Sequence, residues 1–151
     1  MTSILVSGAP LPPYPCWLMT IVRLVLRWLA VVSFVLVGVA HFVFEDFFLS
    51  IMPPWIPFHR ACVLVSGVAE IAGGLGLILE RTRRAAAWGL LALLVAVFPA
   101  NLWMAFTETC PRGLECTPLS LWIRLPVQGV FAVWIWFVGL SPRAHRAGRQ
   151  A

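Results

Sequence analysis

Four long stretches of the chain are apolar: residues 28–44, 61–79, 85–107 and 125–142. Glu70 is the one Asp, Glu, Lys or Arg within them. A helix needs about 20 apolar residues to cross the hydrocarbon of a bilayer. The pattern therefore predicts four membrane-spanning helices. The predicted spans are about 24–44, 60–79, 85–107 and 120–141. Their short connections predict an all-α, antiparallel four-helix bundle.

The remaining segments differ from one another in character. Residues 1–18 are rich in proline, which excludes a helix, so we expect a disordered N-terminal extension before a membrane domain at 19–142. Between the first two spans, aromatic and aliphatic residues alternate with few polar ones and end in Pro53, Pro54 and Pro57. We expect this segment to lie in the membrane interface. Residues 143–151 form a basic tail suited to contact with anionic headgroups.

The composition agrees with lipid as the principal solvent. Hydrophobic residues make up 61% and charged residues 11% of 151 residues, whereas soluble domains are roughly 45–50% apolar and about 25% charged. A water-soluble globule is excluded. The net charge of +5 is small and scattered, so we expect no nucleic-acid partner.

The arginines set the expected orientation. Eight of the eleven basic residues precede span one, separate spans two and three, or follow span four. Basic residues are retained on the cytoplasmic side, so both termini are predicted to be cytoplasmic in a bacterial inner membrane. A cleaved signal peptide ending near Gly38-Val39-Ala40 is the competing interpretation of the first span.

Each predicted span contributes one polar side chain between its middle and its outer end: His41, Glu70, Asn101 and Gln128. Ionisable groups at this depth are costly and mark functional sites by default. We therefore hypothesise one outward-opening polar pocket, with Ser66 one turn from Glu70. The alternative is structural: the carboxyl fixes helix register, His41 touches interfacial water, and the amides are interhelical hydrogen-bond partners.

Small residues accompany Glu70 along its helix. Gly73 lies on the stripe of Ser66 and Glu70, while Gly67 and Gly74 lie on its edge. Such residues let a second helix approach closely, which is more typical of packing than of cofactor binding. Pro99, two residues before Asn101, predicts a kink in span three.

The cysteine pair and the histidines offer limited chemistry. Cys110 and Cys116 bracket a turn-forming segment with Pro111 and Gly113, which favours a structural disulfide over a catalytic pair. His41, Glu45, Asp46 and His59 do not form a set at fixed spacing, so no metal site is predicted. Paired haem ligands and a catalytic triad are not recognisable either, and we expect no catalytic residues and no tightly bound cofactor.

Four motifs together resemble the DoxX-like family of small membrane proteins. They are Gly38-Val-Ala-His41-Phe42, Ile51-Met-Pro-Pro-Trp55-Ile-Pro57, Ser66-Gly67-x-x-Glu70-Ile-x-Gly-Gly74-x-Gly-Leu and Val97-Phe-Pro99-Ala-Asn101. The resemblance covers about residues 38–105. It implies a four-helix membrane bundle and an association with redox metabolism, since the family's namesake is linked to a quinone-reducing enzyme.

Three functions remain open from the sequence. The favoured one is a non-enzymatic accessory or small-molecule-binding component that uses the polar pocket around Glu70. The alternatives are a subunit of a quinone-linked oxidoreductase, with quinone as a possible cofactor, and a proton-coupled transporter. Expected partners are the lipid bilayer, membrane or redox proteins, and a second copy of the chain.

Overall fold

The computed structural model describes residues 16–141, and this part of the chain is helical without any β-strand. The predicted all-α class is therefore confirmed for these residues. The elements are α1 Cys16–Val43, α2 Glu45–Leu49, α3 His59–Gly76, α4 Arg83–Thr107, α5 Pro118–Trp122, α6 Arg124–Ile135 and a π-helical turn Trp136–Leu140.

Three helical segments within the described residues are long and apolar enough to cross a membrane: Trp17–Val43, Arg83–Thr107 and Pro118–Leu140. They correspond to the first, third and fourth predicted spans. The second predicted span corresponds to α3, which has 18 residues and contains Arg60 as well as Glu70. By length and composition, three helices within the described residues could thus cross a membrane.

The first helix begins earlier than the charge pattern predicts. It starts at Cys16, directly after Pro15, and includes Arg23 and Arg27. The span predicted from about residue 24 lies within this helix, because charges limit an apolar run without ending a helix, and arginine is a good helix former. Residues 16–18 of the expected disordered extension are therefore helical, and its other residues and the tail lie outside the described part.

The segment between α1 and α3 contains the short helix α2 and then an irregular turn. Phe44 leaves the helical conformation (φ −116°, ψ 45°) and separates α1 from α2. Three prolines follow, which have no backbone N–H and fix φ, so the chain forms turns from residue 50 to residue 58. The predicted non-spanning segment is thus a helix-turn element packed against α1 and α3.

The long helices alternate in direction, which gives the bundle two distinct ends. The arginine end contains the start of α1, the end of α3, the start of α4 and the π-helical turn. Two contacts define it: the Trp134 indole N–H donates to the Leu26 carbonyl over 3.1 Å, and Gly139 packs against Ala87. The opposite end, with residues 44–58 and the 108–117 loop, is called the disulfide end.

The main hydrophobic core lies towards the arginine end. Its buried residues come from the middle of α1, the end of α3, the start of α4 and the end of the last helix. They are Ala30, Val31, Phe34, Leu77, Ala87, Leu90, Ile135 and Val138. Arg83 is buried beside this core and donates from Nε to the Leu77 carbonyl (3.2 Å) and from a terminal nitrogen to the Ile78 carbonyl (3.4 Å). A cation is favourable there because the carbonyls after α3 lack helical partners.

Glycines set the distance between α1 and α3. A Cβ atom added at Gly67 would lie 2.9 Å from the Gly38 carbonyl oxygen, and one added at Gly38 would lie 2.8 Å from the Gly67 carbonyl oxygen. Gly74 also faces α1, whereas Gly73 faces Leu90 of α4. The predicted close approach is thus present, with the glycines of α3 divided between two neighbouring helices.

Candidate functional site

The α1–α3 crossing brings His41 and Glu70 together. The His41 Nδ1 atom lies 3.4 Å from the Glu70 Oε2 atom, and the two side chains are 9% and 14% exposed. Gly38 lies one turn before His41, and Gly67 lies one turn before Glu70. Because the backbones touch at these glycines, the next turn of each helix is close enough for its polar side chain to reach the other.

Two further contacts fix the His41 ring. Its Nδ1 atom lies 2.9 Å from the Val37 carbonyl oxygen. A carbonyl only accepts, so Nδ1 carries the hydrogen and donates it. The ring also stacks on Phe48 of α2, with centroids 3.8 Å apart and planes 18° from parallel. His41 is therefore held from both its own helix and α2.

The Glu70 carboxyl has unused hydrogen-bonding capacity. Its Oε2 atom is buried and accepts no hydrogen bond from the described residues. His41 Nδ1 is near, but its hydrogen is directed to Val37. Burial of an acceptor without a donor is unfavourable, so this oxygen is chemically suited to accept a hydrogen bond from a bound group or to hold a proton.

Asn101 and Gln128 form a second polar pair, between α4 and α6. The Asn101 amide Nδ2 donates to Gln128 Oε1 over 2.9 Å, and Gln128 Nε2 donates to the Leu94 carbonyl. Leu94 lies just over one turn before Pro99, so Gln128 attaches α6 to the backbone of α4 near its proline. This is the interhelical hydrogen bonding that the sequence left open as the alternative to a pocket.

The four polar side chains are thus connected as two pairs by the hydrogen bonds and ion pairs of residues 16–141. Gln128 also lines an open groove of about 360 Å³ between α4 and α6, with apolar neighbours such as Leu94, Phe98 and Leu125. Ser66 uses its hydroxyl within its own helix, where it donates to the Val63 carbonyl over 2.8 Å. His41 and Glu70 therefore form the centre of the candidate site.

Cys110 and Cys116 are bonded, with their Cα atoms 5.8 Å apart. Their loop contacts the irregular turn after α2, because the Arg112 backbone N–H donates to the Ser50 hydroxyl over 3.1 Å. Pro111 in this loop is fully buried. The disulfide loop therefore packs onto the chain between α1 and α3.

His59 and Glu45, near the disulfide end, have local partners. His59 Nε2 lies 3.0 Å from the Pro53 carbonyl, and Glu45 accepts a 2.7 Å hydrogen bond from Arg60. Within the described part of the chain, His, Cys, Asp and Glu side chains do not gather in any group of three that could hold a metal ion.

The sequence did not indicate two participants in the site. Phe48 was counted among the apolar residues of an interfacial segment, and Ser50 was not singled out. Phe48 lies seven residues after His41, a spacing that would place both on one face of a continuous helix. Because the helix is interrupted at Phe44, this periodicity does not predict their contact. Only the fold shows that α2 turns back onto α1.

Fold and site together define an all-helical protein with helices long and apolar enough to span a membrane and a buried histidine–carboxylate pair. The chain belongs to the family described as Domain of unknown function (DUF8561), whose family model matches residues 29–139. The matched region includes all four polar side chains and the disulfide. Comparison with curated proteins and with solved structures gives no significant match.

Proposed function

We propose that the protein is a four-span integral membrane protein that binds a small molecule at the His41–Glu70 pair and acts as a non-enzymatic component. The buried, unpartnered Oε2 atom of Glu70 beside His41 carries this proposal. Leaving a buried acceptor unsatisfied costs about 1–3 kcal/mol, and more for a charged group. A ligand with an N–H or O–H donor, or a small cationic group, would offset this cost.

The direction of the helices supports α3 as the fourth span. Gly74 of α3 packs on α1 near Val31, and Gly67 packs near His41, so α3 is antiparallel to α1. Gly73 and Gly76 contact the start of α4 at Leu90 and Ala86, so α3 is also antiparallel to α4. Since α1 and α4 both begin at the arginine end, the chain between them must cross back. The 18 residues of α3 extend about 27 Å.

The proposed orientation places the arginine end in the cytoplasm. Arg81 lies in the connection from α3 to α4, Arg83 and Arg84 begin α4, and Arg23 and Arg27 lie near the start of α1. Basic residues are retained on that side. The disulfide end, and hence the approach to His41 and Glu70, then faces the oxidising compartment, in which a disulfide persists. A reporter fused to the C-terminus should be active in the cytoplasm only.

The resemblance to DoxX-like proteins supports the same assignment. His41 and Glu70 both lie in the motifs that carry the resemblance, as does Asn101. The resemblance implies a four-helix membrane bundle without defining a catalytic set. It therefore favours a common binding or packing role for these positions over a specific reaction.

The binding proposal is tested by identifying small molecules that co-purify with the protein in mild detergent. The variants are Glu70→Gln, which keeps size and polarity, and Glu70→Ala. Glu80→Gln is the matched control because Glu80 is a 70% exposed carboxylate at the arginine end, away from the pair. Hydrogen bonds to a charged group contribute about 1.5–3 kcal/mol, so Glu70→Gln should lower retention about tenfold or more. Glu80→Gln should retain the molecule as the wild type does.

The outcome distinguishes binding from a structural role. If Glu70→Gln and Glu70→Ala keep the same small molecules in the same amounts, the pair is not a binding site. If Glu70→Ala is less stable but equally occupied, the carboxyl serves helix packing. A bound quinone that disappears with Glu70→Gln would favour the redox-associated role.

Proton-coupled transport is a second candidate, because two titratable side chains meet within apolar helices. A carboxyl and an imidazole in contact can pass a proton between a ligand and the aqueous phase. Flux of candidate solutes into liposomes with an imposed proton gradient tests this function. Gradient-dependent flux that is lost in Glu70→Gln and kept in Glu80→Gln would establish it, and flux equal to that of empty liposomes would exclude it.

A further inference from the structure

We infer that residues 44–58 form a lid over the His41–Glu70 pair, and that the Cys110–Cys116 loop is the latch that holds this lid closed. The inference rests on the proposed function, since a lid matters only if the pair takes a ligand. The inference adds that a ligand reaches the pair from the disulfide end, and that the Cys110–Cys116 loop controls this access.

The lid contacts the site through one aromatic side chain. Phe48 stacks face to face on the His41 ring at 3.8 Å, and Phe47 packs against Phe48 edge to face with centroids 5.2 Å apart. His41 is only 7% exposed as a residue although it lies two positions from the end of α1. Phe48 therefore covers the histidine on the side that would otherwise face the disulfide end.

The lid is built to move as a unit. Phe44 interrupts the helix between α1 and α2, and Pro53, Pro54 and Pro57 cannot donate backbone hydrogen bonds after α2. Hinges are commonly a few element-terminal residues that absorb changes in φ and ψ. The five-residue α2 thus lies between two breaks in regular hydrogen bonding.

Three polar contacts hold the lid in place, one of which joins the Pro53 carbonyl to His59 Nε2 of α3 over 3.0 Å. At its start, Glu45 accepts a 2.7 Å hydrogen bond from Arg60 of α3. After α2, the Ser50 hydroxyl donates to the Phe47 carbonyl over 2.7 Å and accepts from the Arg112 backbone N–H over 3.1 Å. Ser50 therefore connects the turn that carries Phe47 and Phe48 to the disulfide loop.

The disulfide restricts the conformation of the loop whose Arg112 N–H donates to Ser50. The disulfide joins two cysteines six positions apart in the sequence, so Arg112 lies within a closed loop. Pro111 in this loop is fully buried. A short closed loop samples few conformations, so the Arg112 N–H stays directed at Ser50. Opening the ring would leave this donor free to turn away, and the lid would lose its polar contact with the disulfide loop.

The experiment measures access of a reagent to Glu70 in protein reconstituted in liposomes. A water-soluble carbodiimide with an amine nucleophile converts carboxyls to amides from the aqueous phase. A hydrophobic carbodiimide reaches Glu70 through lipid and reports its intrinsic reactivity. Peptide mass spectrometry then gives the labelling rate at Glu70 for wild type, for Ser50→Ala, and for Cys110→Ser combined with Cys116→Ser.

A matched control separates the latch from general loosening. Ser141→Ala also removes a serine hydroxyl that donates to a carbonyl of its own helix (Phe137, 2.7 Å), but at the arginine end. Loss of one ordinary hydrogen bond changes an equilibrium about fivefold. We expect water-soluble labelling of Glu70 to rise about fivefold in Ser50→Ala and at least as much in the double cysteine variant, with Ser141→Ala and hydrophobic labelling unchanged.

Three results would overturn the lid. Equal water-soluble labelling of wild type and both latch variants means that Ser50 and the disulfide do not control access. An equal rise in Ser141→Ala, or a parallel rise in hydrophobic labelling, means that the bundle has loosened as a whole. Because the assay follows the reaction of Glu70 and not the presence of a ligand, a failed lid is distinguishable from a failed binding site.

Discussion

Replacing Gly67 by alanine should separate α1 from α3 and break the His41–Glu70 contact. The added methyl carbon would lie 2.8 Å from His41 Cβ and 2.9 Å from the Gly38 carbonyl oxygen, whereas ordinary contacts of this kind are 3.4–4 Å. Both atoms are fixed to the α1 backbone and cannot rotate away. The helices must therefore move apart by about 0.5 Å or more at the crossing, and overpacking of this kind costs about 1–3 kcal/mol.

The control for this variant is Gly89→Ala, because a methyl group at Gly89 meets nothing within 4 Å. Alanine is favoured over glycine in a helix interior by about 0.5–1 kcal/mol, so this variant should be as stable as wild type or slightly more so. Reversible unfolding in mixed micelles gives the two free energies. If Gly67→Ala is no less stable than Gly89→Ala, the close backbone contact between α1 and α3 does not exist.

Three other predictions concern contacts outside the α1–α3 crossing. Gln128→Leu should lower the free energy of unfolding in micelles by about 0.6–1.7 kcal/mol. The double variant with Asn101→Leu should lose less than the sum of the two single variants, because the two amides share one hydrogen bond. Additive losses would contradict the pairing. Arg83→Ala should destabilise the protein by about 1–2 kcal/mol. The stability of Arg83→Lys should lie between those of wild type and Arg83→Ala, since lysine places one point charge where the guanidinium reaches two carbonyls. Identical melting temperatures for wild type and Arg83→Ala would refute this. Cys110→Ser with Cys116→Ser should cost about 2 kcal/mol under non-reducing conditions, whereas no change in melting temperature would show that the bond does not constrain the loop.

The helical architecture could be predicted because long apolar stretches leave few alternatives. Four uncharged or nearly uncharged stretches match α1, α3, α4 and the final helix, with ends that differ by a few residues. The largest difference is at the start of α1, where Arg23 and Arg27 lie inside the helix. Charge reports where a helix enters the headgroups, not where its hydrogen bonding begins.

The composition of the site could be predicted only in part. The sequence identified His41, Glu70, Asn101 and Gln128 from polarity and depth, but depth along a helix does not give the direction in which a side chain points. The pairing depends on which helices are neighbours, and this is set by the glycine contacts of α3 with α1 and α4. Phe48 was not predicted because its contact with His41 depends on the change in backbone conformation at Phe44.

The uneven distribution of the hydrophobic core has a consequence for how the bundle loses its structure. The contiguous buried cluster joins all four long helical segments near the arginine end. Amide hydrogens around Leu77, Ala87 and Ile135 should consequently be among the slowest to exchange with deuterated solvent. Partial denaturation should begin at the disulfide end, and the helix contacts near the arginines should be the last to separate.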